Sequence, residues 1–274
     1  EAVSEWIANA AKWIEQKQQP TLNLVYLPHL DYNLQRLGPE HPEIATDLQR
    51  IDRIVGDLIE FFEARGVQII LLSEYGITPV GQPIHLNRLF RERGWLAIKE
   101  ELGLERLDCG NSRAFAVADH QVAHIYINNK SIENDVRSLL ESTGGVTAVW
   151  GQVEKQANGI DHSRAGDLVA TSTESAWFTY YYWLDDAVAP DFARCVDIHR
   201  KPGYDPVELF KDSARGSMPR VMLKLLKKKL GFRMLMDVVP LDASLVKGSH
   251  GCRPSDRADW PVLISKSKIG RAHV

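Results

Sequence analysis

Residues 21–39 read TLNLVYLPHLDYNLQRLGP, and residues 67–79 read VQIILLSEYGITP. Each begins with an apolar run of strand length and passes directly into a polar segment carrying a carboxylate, Asp31 in the first and Glu74 in the second. Between them Ile44, Leu48, Ile51, Val55, Leu58 and Ile59 recur at helical spacing, which predicts a helix over residues 42–65 with Gly66 at its C-cap. Strand, helix and strand in this order predict a parallel βαβ unit whose strands, residues 21–27 and 67–72, are both buried. Ligands of such sheets bind beyond the carboxyl ends of the strands, so the loops carrying Asp31 and Glu74 are expected to share one functional edge.

Upstream, Trp6, Ala10, Trp13 and Ile14 predict an amphipathic helix with these residues on its apolar face. Downstream, AFAVA and HIYIN within residues 114–128 read as an adjacent strand pair, and residues 131–140 as a helix. GDLVATS (166–172) and the aromatic run WFTYYYW (177–183) read as strands, and residues 219–230 as a basic amphipathic helix. A single α/β domain over residues 1–268 is expected. Residues 269–274, IGRAHV, match the translation of a common sequencing-adapter sequence and are set aside as a non-native tail.

The 274 residues, 44% hydrophobic and 25% charged, suffice for a large core. A net charge of -3 gives no electrostatic reason to expect nucleic acid or a membrane as partner, so a small molecule is the default. Cys109, Cys195 and Cys252 lie far apart without CxxC spacing, which speaks against a thiolate zinc site or a disulfide framework and suits a reducing compartment. No apolar run approaches the roughly 20 residues that span a bilayer. A soluble, cytoplasmic setting is the reading these features favour.

Asp31 sits between Pro28 and Gly38-Pro39, Glu74 follows the second strand, and His250 lies within Gly248-Ser249-His250-Gly251. Carboxylates and an imidazole so placed are ligands suited to zinc, manganese or magnesium. Two further acid and imidazole pairs stand out: Asp197 with His199, and Asp119 with His120. Either pair suits metal ligation or acid–base catalysis, with His199 and His120 as the catalytic candidates; the competing reading is a loop anchored by hydrogen bonds. In the rigid turn KPGYDP, Lys201 and Tyr204 are placed to hold a phosphate and stack on a ring, unless the turn is purely structural. The KLLKKKLGFR run, residues 224–233, reads as the solvated face of a helix.

The order LDYNLQRLGP, LLSEYGI, HSRAGDLV and GSHG resembles the type I phosphodiesterase/nucleotide pyrophosphatase family of the alkaline phosphatase superfamily, over most of residues 20–256. The resemblance implies an alkaline-phosphatase-like three-layer sandwich with a mostly parallel central sheet, N-terminally incomplete here. It further implies a two-zinc site, and a Thr or Ser nucleophile beside another Asp, both lying before Glu1. The activity implied is metal-dependent hydrolysis of phosphate esters, phosphodiesters or nucleotide pyrophosphates. Asp31 and His250 match ligands of one metal. Gln35 stands where the family has His, Glu74 where it has Asp, and Tyr75 where it has His. The expected ligand set is therefore Asp31, Glu74 and His250, with Gln35, Tyr75 and Asp197 as further positions, for one or two divalent ions. A neutral carbonyl and a phenol are poor substitutes for imidazole. They favour the alternative, a non-catalytic anion- or nucleotide-binding protein on the same fold.

Overall fold

The computed structural model describes residues 2–213, 215–216 and 218–266. The sequence-adapter-like tail lies outside these described residues. The chain is a mixed α/β protein. It opens with helices α1 (Ala2–Gln18), α2 (Asp31–Leu37) and α3 (Glu43–Glu63), then short strands β1 (Ile70–Leu72), β2 (Thr78–Pro79) and β3 (Gln82–Ile84). Helix α4 (Leu86–Glu92) precedes the hairpin β4 (Ile98–Glu101) and β5 (Leu104–Leu107), and then β6 (Ala114–Asp119) and β7 (Val122–Ile127). There follow α5 (Glu133–Ser142), β8 (Val146–Trp150), α6 (Gln152–Ala157), β9 (Leu168–Ser172) and β10 (Ala176–Phe178). The last elements are α7 (Met218–Lys229), β11 (Gly248–Ser249) and β12 (Leu263–Ser265).

The largest sheet has the order β6-β7-β9-β8 and is antiparallel throughout. Its inward face follows the period of two: Ala114, Ala116 and Ala118 of β6 and Ala123, Ile125 and Ile127 of β7 are buried. Helix α5 covers it with Val136 and Leu140, and α4 adds Leu86 and Phe90 to the same core. Among the described strand pairs only β3 with β10 is parallel, beside one isolated parallel bridge between Ala118 and Gly203, so these residues do not build the mostly parallel sheet that was expected. The physical reason lies partly in the connections, since a tight turn such as the one joining β6 to β7 can only pair strands antiparallel.

The predicted strand at residues 177–183 is shorter than read. Pairing with β3 stops at Phe178, yet Trp177, Tyr180, Tyr181, Tyr182 and Trp183 are all buried. Aromatic bulk places residues 180–183 in the core without a ladder on either side.

The first segments differ most from expectation. The helix over residues 42–65 is present as α3, closed by Gly66 at φ 74. Residues 21–27 form no strand among the described residues, and Leu22, Leu24 and Tyr26 are exposed. Only alternate positions, Val25 and Leu27, pack inward, against Ala8, Ala11, Leu58 and Phe62. The second apolar run yields β1, which pairs antiparallel with β12 and leaves Ile70 and Leu72 half exposed. Helix α1 buries Ser4, Ala8, Ala11 and Glu15, while Trp6 is 71% exposed. The bulky face read as the core side is therefore the outer one. The alanine face packs instead because small side chains let the α1 backbone approach α3 closely.

Candidate functional site

Asp31 and Gln35 stand one helical turn apart on α2, and that spacing puts them on one face. The Gln35 amide donates from Nε2 to Asp31 Oδ1 at 2.8 Å. Strand β11 lies against this helix: Lys247 N donates to the Gln35 carbonyl at 2.8 Å, and a Cβ on Gly248 would meet the Leu34 carbonyl at 2.2 Å. Only glycine permits that approach, which carries Ser249 and His250 to the site. Pairing of β11 with β2 brings Tyr75 there as well, through the short link Gly76-Ile77. The Tyr75 hydroxyl donates to the same Asp31 Oδ1 at 3.1 Å.

Four rings then stack in a row. Tyr75 lies on His250 at 3.5 Å between centroids and 4° between planes; His250 lies on His120 at 3.8 Å, and His120 on Tyr204 at 4.3 Å. His120 occupies the turn between β6 and β7 at φ 55, a left-handed conformation uncommon for a residue with a side chain. Gln121 N donates to the His250 carbonyl at 2.9 Å and ties that turn to β11. Asp119 Oδ1 lies 2.6 Å from His120 Nδ1, which leaves Nε2 as the ring's other nitrogen. Tyr204 is set on the far side by its own turn, where Tyr204 N donates to the Ala118 carbonyl at 2.9 Å. That turn is braced from within: Lys201 is buried, with its ammonium 2.7 Å from Asp205 and 2.6 Å from Glu208.

The electrostatics follow from this packing. Burial, and then the Asp31 charge and hydrogen bond, push the Tyr75 phenol well above its ordinary range. Burial and the Asp31 charge do the same to Tyr204. His250 is driven down to about 3, by burial first and then by the neighbouring His120. The hydrogen bond from His120 holds the Asp119 carboxyl below its usual value. Gln35 Oε1, His120 Nε2 and Ser249 Oγ are buried in this cluster without a hydrogen-bond partner among the described residues.

As arranged among the described residues, these side chains do not fit a metal site. Among the described residues no three His, Cys, Asp or Glu side chains are grouped to hold an ion. Asp31 Oδ1 is taken by the two residues, Gln35 and Tyr75, that stand where the resemblance calls for imidazole ligands. A phenol pushed this far up is no phenolate at neutral pH. His250 and His120 lie ring against ring at 3.8 Å and 30°, and His120 Nδ1 is already engaged by Asp119.

Of the other candidates, Glu74 is exposed at the rim, where its charge acts on Tyr75 and Tyr26. Asp197 and His199 lie in a turn, not on a strand; Asp197 is bound by Arg200 at 2.6 Å and His199 is exposed. Lys201 faces inward, so its charge is spent on Asp205 and Glu208. Two members of the site escaped the sequence reading. Ser249 had a signal in its flanking glycines, whereas Tyr26 sat in a run read only as a buried strand.

Residues 1–205 match the family described as type I phosphodiesterase / nucleotide pyrophosphatase. The chain belongs to this family. The match takes in Asp31, Glu74, Tyr75, His120 and Tyr204 and ends before His250. Over 84 residues the chain is 36% identical to an uncharacterized pyrophosphatase/phosphodiesterase of Schizosaccharomyces pombe, a span covering 28% of this chain and 16% of that protein. Phosphonoacetate hydrolase from Sinorhizobium meliloti 1021, solved with phosphonoacetate, is 19% identical, with a TM-score of 0.46, over 65% of this chain and 42% of its own. Inactive murine ectonucleotide pyrophosphatase / phosphodiesterase 5, solved with AMP, is 18% identical, with a TM-score of 0.45, over 63% of this chain and 43% of its own. The chain thus spans less than half the length of these relatives.

Proposed function

We propose that the chain supplies the substrate-handling and proton-transfer side of a hydrolase acting on small phosphate esters, phosphodiesters or nucleotide pyrophosphates. One observation carries the proposal: four segments distant in sequence meet in the ring stack and a fifth, α2, joins through Asp31, so that Asp31 and His250 lie together with an unpartnered imidazole nitrogen on His120. Asp119 holds the proton on His120 Nδ1, so Nε2 carries the lone pair. In an in-line displacement Nε2 takes the proton of the attacking hydroxyl or water as the new O–P bond forms. The old O–P bond breaks on the opposite face of phosphorus, where the leaving oxygen takes a proton from water, and His120 gives its own back to solvent. The flat faces of Tyr204 and Tyr75 at the two ends of the stack suit a base or aryl leaving group.

The zinc, manganese or magnesium that the family resemblance implies enters as a separate question, because an ion at Asp31 requires Gln35 and Tyr75 to release their hydrogen bonds. The parallel three-layer sandwich belongs with that same resemblance, as the frame in which residues 21–27 gain strand partners. A second reading has its own support. With both donors committed to Asp31, the site is held together without an ion, as a non-catalytic anion- or nucleotide-binding site would be.

Hydrolysis of an aryl phosphodiester by metal-stripped protein, beside a His120→Gln variant, tests the proposal. Turnover that falls on the order of 10²–10⁴-fold in the variant supports it. Turnover that appears only after zinc is restored transfers the chemistry to an ion. Nucleotide binding without turnover under either condition favours the binding protein.

A further inference from the structure

Residues 218–233 read MPRVMLKLLKKKLGFR, with six Lys or Arg and no Asp or Glu, inside a chain of net charge -3. Helix α7 covers most of this stretch, and none of its described side chains is buried. At about 3.6 residues per turn, Met218, Met222, Leu223, Leu225 and Leu226 fall on one arc and Arg220, Lys224, Lys227 and Lys228 on the other, while Lys229 at the helix end falls within the apolar arc. The apolar arc is not turned inward as it would be in a core helix. Lys224 anchors the cationic side to the protein, through the Leu235 carbonyl at 3.1 Å and an ion pair with Asp237. The apolar arc faces outward, with Met222 63% and Leu226 53% exposed, and Leu230 and Phe232 extend it past the end of the helix.

We propose that residues 218–233 form a peripheral membrane-binding element that lies in the headgroup region of an anionic bilayer. An exposed apolar arc bordered by cations is the pattern of an interfacial helix: the arc enters the headgroup and acyl boundary while lysines at its rim reach lipid phosphates and carboxylates. Charge selects this partner, since the five exposed cations other than Lys224, in a stretch without Asp or Glu, complement an anionic surface although the chain as a whole is acidic. Among the described residues no helix is long and apolar enough to cross a membrane. The site around His120 plays no part in this inference.

Co-sedimentation of the chain with phosphatidylcholine vesicles, with and without phosphatidylserine, tests it. Binding is expected to the anionic vesicles alone and to weaken as salt is raised. Each cation contributes on the order of a fivefold change in partitioning, so Lys227→Glu, Lys228→Glu and Lys229→Glu together should lower it on the order of a hundredfold or more. Leu226→Ser should lower it with the charge intact. All four positions are exposed, and unchanged circular dichroism verifies that the variants remain folded. Equal affinity for neutral vesicles, no affinity for anionic ones, or variants that bind like the parent would overturn the proposal. Lipid-free dimerisation that Leu226→Ser abolishes would overturn it too, by showing that a second copy covers the arc.

Discussion

Residues 78–210 and residues 2–72 contain apolar runs of similar strength, yet the two regions bury them very differently. In the first, β6, β7 and β9 are covered by α4, α5 and the aromatic run, and one contiguous core results. In the second, α1 and α3 enclose a small cluster around Ala8, Ala11, Leu58 and Phe62, while Leu24 remains 85% exposed. An apolar run is therefore a demand for cover, and the run itself does not supply the covering layer.

Truncating the first core should be costly where truncating the second region is not. Trp183→Ala, at a side chain with no exposure, is expected to destabilise by roughly 3–5 kcal/mol in chemical denaturation. Lys201→Met should cost about as much, roughly 3–5 kcal/mol, because it leaves Asp205 and Glu208 buried without their cation. Its additional mark would be altered chemical shifts at His120, since the Lys201 turn carries Tyr204 onto that ring.

Acid should sharpen the same contrast. His85 lies on the aromatic core, bonded to Thr179 at 2.7 Å, and burial with the nearby Arg88 lowers it to about 4 from 6.5. A base depressed in the folded state binds its proton more readily when unfolded. Its stabilisation is complete above pH 6.5 and is lost as pH falls from 6.5 towards about 4. The loss at this one group is on the order of 3 kcal/mol, and His85→Gln should flatten the stability profile over that window. The smallest effect is expected in the first region, where Leu24→Ser should stay within about 0.5 kcal/mol. Amides of residues 21–27 should exchange rapidly with deuterium, and those of β7 slowly. A protected 21–27 segment would break the comparison.

The local patterns were legible. Helix α3, the β6 and β7 pair, α5 and α7 stand within a few residues of where periodicity put them. Asp31, Gln35, Tyr75 and His250 lie together, with His120 beside His250. What the patterns hid was the use of each group. Trp6 looked like core and is surface; Lys201 looked like an anion contact and is an internal brace; Gln35 and Tyr75 looked like weak ligands and are donors to Asp31.

The sequence by itself determined the helices and strands with strong periodicity, the one-turn spacing of Asp31 and Gln35, and the opposed arcs of α7. Each of these depends on residues a few positions apart, whose geometry the backbone repeat sets. Only the tertiary structure decided which face of α1 is buried, that Asp31 meets Tyr75, and that His120 lies between His250 and Tyr204. Those contacts join distant segments, and their choice depends on the total fit of the layers, which no local spacing encodes.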